Sequence, residues 1–202
     1  MTQPTVYMIA GPNGAGKTTA AMTLLPNFLS VHEFVNADEI ARGLNPLNPD
    51  GQAVPAGRLM LQRIDDLIAS GKSFAFETTG ASRVFAEKLR QAKSAGSRLS
   101  LVYLWLPNAE LAKTRVRLRV AQGGHDIPGK DIERRYGRGL KNLVDVYLPL
   151  VDEAYVYDNS ASATDIQDLI AKKIDTTWAV VQDSKWQIML KNGGGGDNER
   201  AE

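Results

Sequence analysis

Residues Met8 to Thr19 read MIAGPNGAGKTT. Within them Gly11, Gly16, Lys17 and Thr18 keep the spacing G-x-x-x-x-G-K-[ST]. Glycines let the backbone bend until several N–H groups face one concavity, and a helix beginning there adds its positive end. Such a loop takes phosphate: Lys17 reaches the β- and γ-phosphates, and the Thr18 hydroxyl coordinates Mg²⁺. Gly11, Pro12, Asn13, Gly14, Ala15, Gly16, Lys17, Thr18 and Thr19 are therefore expected to hold a nucleoside triphosphate, with Thr18 on the metal. The competing reading is a glycine-rich turn beside a surface lysine. It is weakened by the apolar run before the loop and the helical pattern after it.

Two acids stand where such a site needs them. Asp38 follows the apolar pair of FVNADEI. A carboxylate beyond a strand end can take the proton of a hydroxyl that attacks the γ-phosphate. The competing reading is an aspartate that caps a helix around Glu39 to Arg42, and the two roles are compatible. Glu77 closes SFAFE, and an acid ending an apolar strand needs a partner such as Mg²⁺ or a sugar hydroxyl. Thr78 and Thr79 follow with hydroxyls suited to hydrogen bonding a substrate. The alternative for these residues is a polar turn into the next helix.

Between Glu110 and Lys141 the chain carries nine Lys/Arg against four Asp/Glu, around Gly123–Gly124. Phosphoryl transfer spreads negative charge over equatorial oxygens, which the guanidinium fork answers. A glycine-hinged lid over about 119–135 is expected to close on the nucleotide and expel water. Arg119 before the loop and Arg134, Arg135 or Arg138 after it are the candidates; each alone also reads as part of a solvated helix face. His125 at the tip is a solvated loop histidine or a substrate contact. Asp158, Asn159 and Ser160 either border the adenine or cap the last helix.

Short apolar runs alternating with helical patterns must position these groups. Strands are expected over Thr5 to Ala10, within HEFVNAD to about Asn36, at SFAFE, over Leu99 to Leu106 and at AYVYD. Helices are expected over Lys17 to Leu25 (broken by Pro26), Gln52 to Ser70, Arg83 to Ala95, from a cap at Asn108 to about Ala121, Asp131 to about Val151 (softened at Gly137 and Gly139), and Asp165 to Ile174. TWAVVQDSKWQIML reads as two strands around a polar turn. The sum is an α/β fold of the P-loop NTPase/kinase type: a parallel five-stranded sheet flanked by helices, with a C-terminal β-hairpin. Residues 1–190 form the domain, and the glycine-rich end, 191–202, is expected to be disordered.

Bulk composition narrows the classes. The chain has 202 residues, 43% hydrophobic and 23% charged, with a net charge of +1, no cysteine and two histidines. That excludes disulfides and thiolate chemistry and argues against a zinc enzyme. It gives no global pull toward nucleic acid, and the few aromatics near the basic segment disfavour a nucleic-acid groove. The longest apolar run is far short of the roughly 20 residues of a membrane span. With no export signal read at the N-terminus, the expectation is a cytoplasmic protein.

A phosphate loop alone serves many reactions. The N-K-x-D signature of GTPases and the S-G-G-Q signature of ABC ATPases are not found, which favours a kinase. Together GPNGAGKTT, FVNADEIARGLNP, AGRLML, SFAFETT, RVRLRVAQGGHDIP, RRYGRGLKNL and YLPLVDEAYVYDNS resemble the zeta toxin family of P-loop kinases, in its compact bacterial branch, over about residues 5 to 190. The resemblance implies ATP and Mg²⁺ as cofactors, a UDP-sugar such as UDP-N-acetylglucosamine as acceptor, and an antitoxin protein as partner. By the same resemblance Lys17 matches the phosphate-binding lysine, Asp38 the catalytic base and Glu77 a substrate-binding acid. The two catalytic arginines fall at Arg119 and Arg135. A kinase for another metabolite or a nucleic-acid end, and an ATP-dependent switch that phosphorylates nothing, are the alternatives.

Overall fold

The computed structural model describes residues 3–124, 126–161 and 168–194. Strands β1 (Thr5–Ala10), β2 (Phe34–Val35), β3 (Phe74–Thr78), β4 (Arg98–Trp105), β5 (Glu153–Asp158), β6 (Asp168–Ile174) and β7 (Thr177–Val180) form one sheet in the order β2–β3–β1–β4–β5–β6–β7. β1 to β5 run parallel, as the alternation of strand and helix predicts, and β6 and β7 extend the sheet as an antiparallel hairpin. β4 shows why the inner strands read as unbroken apolar runs. Leu99, Leu101, Tyr103 and Trp105 enter the core on one face, while Val102 and Leu104 enter it on the other.

Helices cover both faces. α3 (Ala53–Ala69), α4 (Val84–Ser94), α6 (Gly129–Asn142) and α8 (Asp183–Gly193) pack on one side through Ile64, Leu89, Leu140 and Met189. α1 (Lys17–Phe28) and α5 (Ala109–Ala121) pack on the other through Ala20, Leu25 and Val116. The short α2 (Ala37–Leu44) follows β2 directly. As expected, Asn108 caps α5, accepting from Leu111 N. Among the described residues no helix is long and apolar enough to cross a membrane.

Several expectations need correction. α1 does not break at Pro26 but contains it. Pro26 and Met22 both face solvent, so water can take the Met22 carbonyl that the proline leaves without a donor. Gly137 and Gly139 do not soften α6. The irregularity falls after it, in a π-helical turn at Leu143–Tyr147 that leads into α7 (Leu148–Leu150).

The segment read as a last helix to Ile174 is the strand β6, paired with β5, its residues 165–167 lying outside the described residues. Burial overrides the local pattern there: Ile170 and Ala171 join the core, and buried Lys173 donates to the carbonyls of Leu148 and Val151 at the end of α7. The hairpin therefore runs from β6 to β7 rather than within 177–190. Its expected second strand is α8, which buries Trp186, Met189 and Gly193 at helical spacing and extends to Gly193, past the start of the expected tail. The rest of that tail, 195–202, lies outside the described residues.

Candidate active site

β1 ends in the glycine-rich loop, and the main chain there leaves no room for side chains. Gly11 has φ +146°, and a Cβ on it would stand 2.3 Å from the Leu104 carbonyl oxygen. Lys17, the first residue of α1, turns back over the loop. Its Nζ donates to Pro12 O at 3.0 Å and lies 3.8 Å from Glu77 Oε1, with the side chain only 7% exposed. Burial pushes the Lys17 ammonium below its ordinary range. Glu77 and Asp38 pull it back up, and Arg119 and Arg135 push it further down. Thr18 Oγ1 donates to Glu77 Oε2 at 2.8 Å.

Asn36, and not Asp38, supplies the cap of α2. Its Oδ1 accepts from Asp38 N at 2.8 Å and so caps α2, while its Nδ2 donates to Glu77 Oε2 at 2.9 Å. One side chain thus ends β2, starts α2 and holds the acid of β3. The Asp38 carboxylate has no capping role and stands exposed at the mouth of the site.

Two adjoining clefts meet at Asp38 and Arg135. The first, of about 500 Å³, lies between α2 and the α5–α6 connection and is lined by Arg42, Asp50, Arg119, Asp126 and Asp131. The second, of about 490 Å³, reaches the phosphate loop at Asn13 and Lys17 and runs past Glu77, Thr78 and Thr79 toward α3. Lys17, Asp38, Glu77, Thr78, Thr79 and Arg135 therefore share one cleft, with Arg119 in its neighbour. Of the arginines after the loop, Arg134 pairs with Asp131 at 2.7 Å, and neither Arg134 nor Arg138 lines a cleft. His125 lies outside the described residues.

α6 delivers Arg135 by docking on the loop after β3. Arg135, Gly139 and Asn142 recur at helical spacing on one face. Gly139 comes so close that a Cβ would lie 2.6 Å from Thr79 O. Asn142 Nδ2 donates to Gly80 O, and its Oδ1 accepts from Arg83 Nε, both at 3.0 Å. The Tyr147 hydroxyl donates to Ser82 O, and burial pushes its pKa up to about 12 against the opposing pull of Arg83. Asn142→Ala would leave the Gly80 carbonyl without its buried donor. We expect it to cost about 1–2 kcal/mol of stability, read as a lowered denaturant midpoint at constant slope.

A second brace holds the loop from behind. Asn159 Nδ2 donates to Ala15 O at 2.7 Å, and Arg115 donates to the carbonyls of Asn159 and Ser160, both at 2.7 Å. Asp158 pairs with Lys185 at 2.6 Å. Asn159 thus shapes the phosphate loop, and the helix it was expected to cap is β6.

Asn36, Arg115, Asn142 and Asn159 carry this geometry and were not singled out as site residues or, for Asn159, not for this role. The available signal was their position: each polar residue sits at a strand end or on a helix face otherwise committed to packing. Mg²⁺ takes one or two protein oxygens and keeps the rest for water and phosphate. The Thr18 hydroxyl beside the Glu77 carboxylate fits it. Among the described residues no cluster of three or more His, Cys, Asp or Glu forms a separate metal cage.

The chain matches the AAA domain family model over residues 6–136. An uncharacterised protein of Haemophilus influenzae is 29% identical over 126 residues, 62% of this chain and 88% of that one. Among solved structures, a chain of the AvrRxo1-ORF1:AvrRxo1-ORF2 complex with sulphate ions superposes at TM-score 0.74 with 16% identity. The match covers 99% of this chain, which spans 66% of that one, just under two thirds. The PezAT chromosomal toxin–antitoxin system of Streptococcus pneumoniae gives TM-score 0.61 at 15% identity, over 96% of this chain and 88% of that one. A gluconokinase from Sinorhizobium meliloti gives 0.51 at 10% identity, over 96% and 97%. These likenesses establish the P-loop kinase fold expected from the motifs, shared with a toxin–antitoxin structure. With the family model spanning the phosphate loop, both acids, Arg119 and Arg135, the chain belongs to the AAA domain family of P-loop proteins.

Proposed function

We propose that the protein is an ATP-dependent kinase that phosphorylates a hydroxyl of a small molecule, with Asp38 as general base. The observation that carries this reading is the placement of Asp38. Freed from capping by Asn36, it lines the same cleft as Lys17 and Arg135. An adenine-bearing triphosphate would lie with its phosphates on the loop from Gly11 to Thr19 and Lys17 on the γ-phosphate. Thr18, with Glu77 behind it, would hold Mg²⁺, which would neutralise part of the phosphate charge. Asp38 takes the proton as the acceptor oxygen bonds to the γ-phosphorus. The bond from that phosphorus to the bridging oxygen breaks, and ADP leaves. Arg135 and Arg119 answer the charge on the transferring group, with the segment 119–135 closing over it.

For the acceptor, the resemblance to zeta toxins supports a UDP-sugar, first UDP-N-acetylglucosamine, in a cytoplasmic setting. That resemblance, together with the fold shared with the PezAT toxin–antitoxin structure, supports an antitoxin protein as partner. The test incubates the protein with Mg²⁺ and ATP, with and without UDP-N-acetylglucosamine, and looks by mass spectrometry for added phosphate. A phosphorylated sugar nucleotide is the expected product. ATP consumption with the sugar untouched would retain the kinase and remove this acceptor. ATP binding without turnover would replace the kinase by a nucleotide-dependent switch.

A further inference from the structure

Most arginines of the described residues are engaged within the protein: Arg63 with Glu33, Arg98 with Glu153 and Asp175, Arg115 with two carbonyls. Arg58, Arg135 and Arg138 make no hydrogen bond or ion pair among the described residues. Two of these, Arg58 and Arg135, line the second cleft, while Arg138 lines neither. Arg135 stands at the transfer end beside Asp38. Arg58 belongs to α3, where Val54, Arg58 and Leu61 fall on one helix face and form a wall of that cleft.

Opposite that wall the cleft offers Thr78, Thr79 and Ser82. Each hydroxyl already accepts a hydrogen bond from a nearby backbone N–H: Gly80 at 3.1 Å, Ala81 at 3.4 Å and Val84 at 3.4 Å. None of the three donates to a described residue, so their O–H groups are spare donors. Among the described residues the acids that line this cleft are Asp38 and Glu77, both at its transfer end. Away from that end it presents a cation and hydroxyl donors over an aliphatic wall. The complement of that surface is a molecule rich in acceptor oxygens, negatively charged, with one apolar face.

We propose that this cleft is the acceptor subsite for a polyhydroxylated anion, and that Arg58 is its specificity residue, gripping a phosphate or carboxylate so that a hydroxyl reaches Asp38. The inference rests on the phosphotransfer reading of the same cleft, and binding separates the two. Titration calorimetry on the protein loaded with ADP and Mg²⁺ would compare glucose with gluconate, glucose 6-phosphate and UDP-N-acetylglucosamine. The arms distinguish carboxylate, monophosphate and diphosphate as the charge that is read.

At least one anion should bind about tenfold or more tightly than glucose. Arg58→Ala should remove that margin, Arg58→Lys should keep part of it, and ADP affinity should change less than about twofold in both. Glucose binding as well as every anion, no probe binding at all, or an unchanged margin in Arg58→Ala would each overturn the proposal. An Arg58-dependent anion that binds but is not phosphorylated by ATP would uphold Arg58 and remove the kinase reading instead.

Discussion

Asp38→Asn should lower kcat by about 10²- to 10⁴-fold while leaving ATP binding in place. That range corresponds to about 3–5 kcal/mol of lost transition-state stabilisation. Asparagine keeps the size and the hydrogen-bonding reach of the side chain but cannot accept the proton of the attacking hydroxyl. The fold should not notice. Asp38 is exposed, and the cap of α2 is supplied by Asn36, so the change in stability should stay within about 0.5 kcal/mol. Loss of the Asp38 charge also removes one of the groups that hold the buried Lys17 protonated, while Glu77 remains at 3.8 Å to do so. Calorimetric titration with ATP beside a steady-state assay separates the two effects. Unchanged turnover would remove Asp38 from the base role. Lost ATP binding with intact stability would make it part of the nucleotide site.

Gly139→Ala should both destabilise the protein and slow it, where the same substitution two residues earlier should stabilise it. In a helix interior alanine is favoured over glycine by about 1 kcal/mol. At Gly137 nothing lies within 4 Å of the added Cβ, so that preference acts alone. Gly137→Ala should raise stability by about 0.5–1 kcal/mol, a gain of about 1–4 °C in Tm for a chain of this length. At Gly139 the added Cβ would stand 2.6 Å from Thr79 O, a main-chain atom that cannot rotate away. Overpacking costs about 1–3 kcal/mol and outweighs the propensity gain.

The relief available is a shift of α6 away from the loop, and Arg135 sits one helical turn from the collision. A misplacement of about 1 Å at a transfer site can cost about 10²-fold in rate. We therefore expect Gly139→Ala to lose much of kcat at temperatures where it is still folded. Thermal melts and single-turnover rates on both variants test it. Equal behaviour of the two glycines would mean that the α6 docking does not set Arg135.

Arg58, an exposed cation on α3, can be changed without touching the phosphate loop. The rest of the acceptor subsite is less separable. Thr78 and Thr79 belong both to the cleft and to the turn that Gly139 and Asn142 clasp.

By itself the sequence determined the phosphate loop, the parallel order of strand and helix through β5, and the presence of acids at the ends of β2 and β3. These are local properties: glycine at fixed offsets, apolar runs of strand length, and carboxylates just beyond them. Asn108 as a helix cap was legible for the same reason. Asn36 and Asp38 stand two residues apart and are both competent to cap, so a shift of two positions in where β2 ends would hand the cap from one to the other. The pairing of β2 with β3, which brings Glu77 to Asn36 Nδ2, is what makes Asn36 the cap.

Nor does helical spacing distinguish Arg134, Arg135 and Arg138 by chemistry. α6 turns Arg135 to the clefts because Gly139 and Asn142 on the same face dock against residues some sixty positions earlier in the chain. DLIAKKI lies between helix and strand in its own preferences. β5 offers it an open edge to pair with, and two carbonyls at the end of α7 satisfy Lys173, so it becomes a strand whose buried lysine no local pattern announces. In each case the deciding partner is far away in sequence, and the energy of meeting it exceeds the small local preference that a single segment can express.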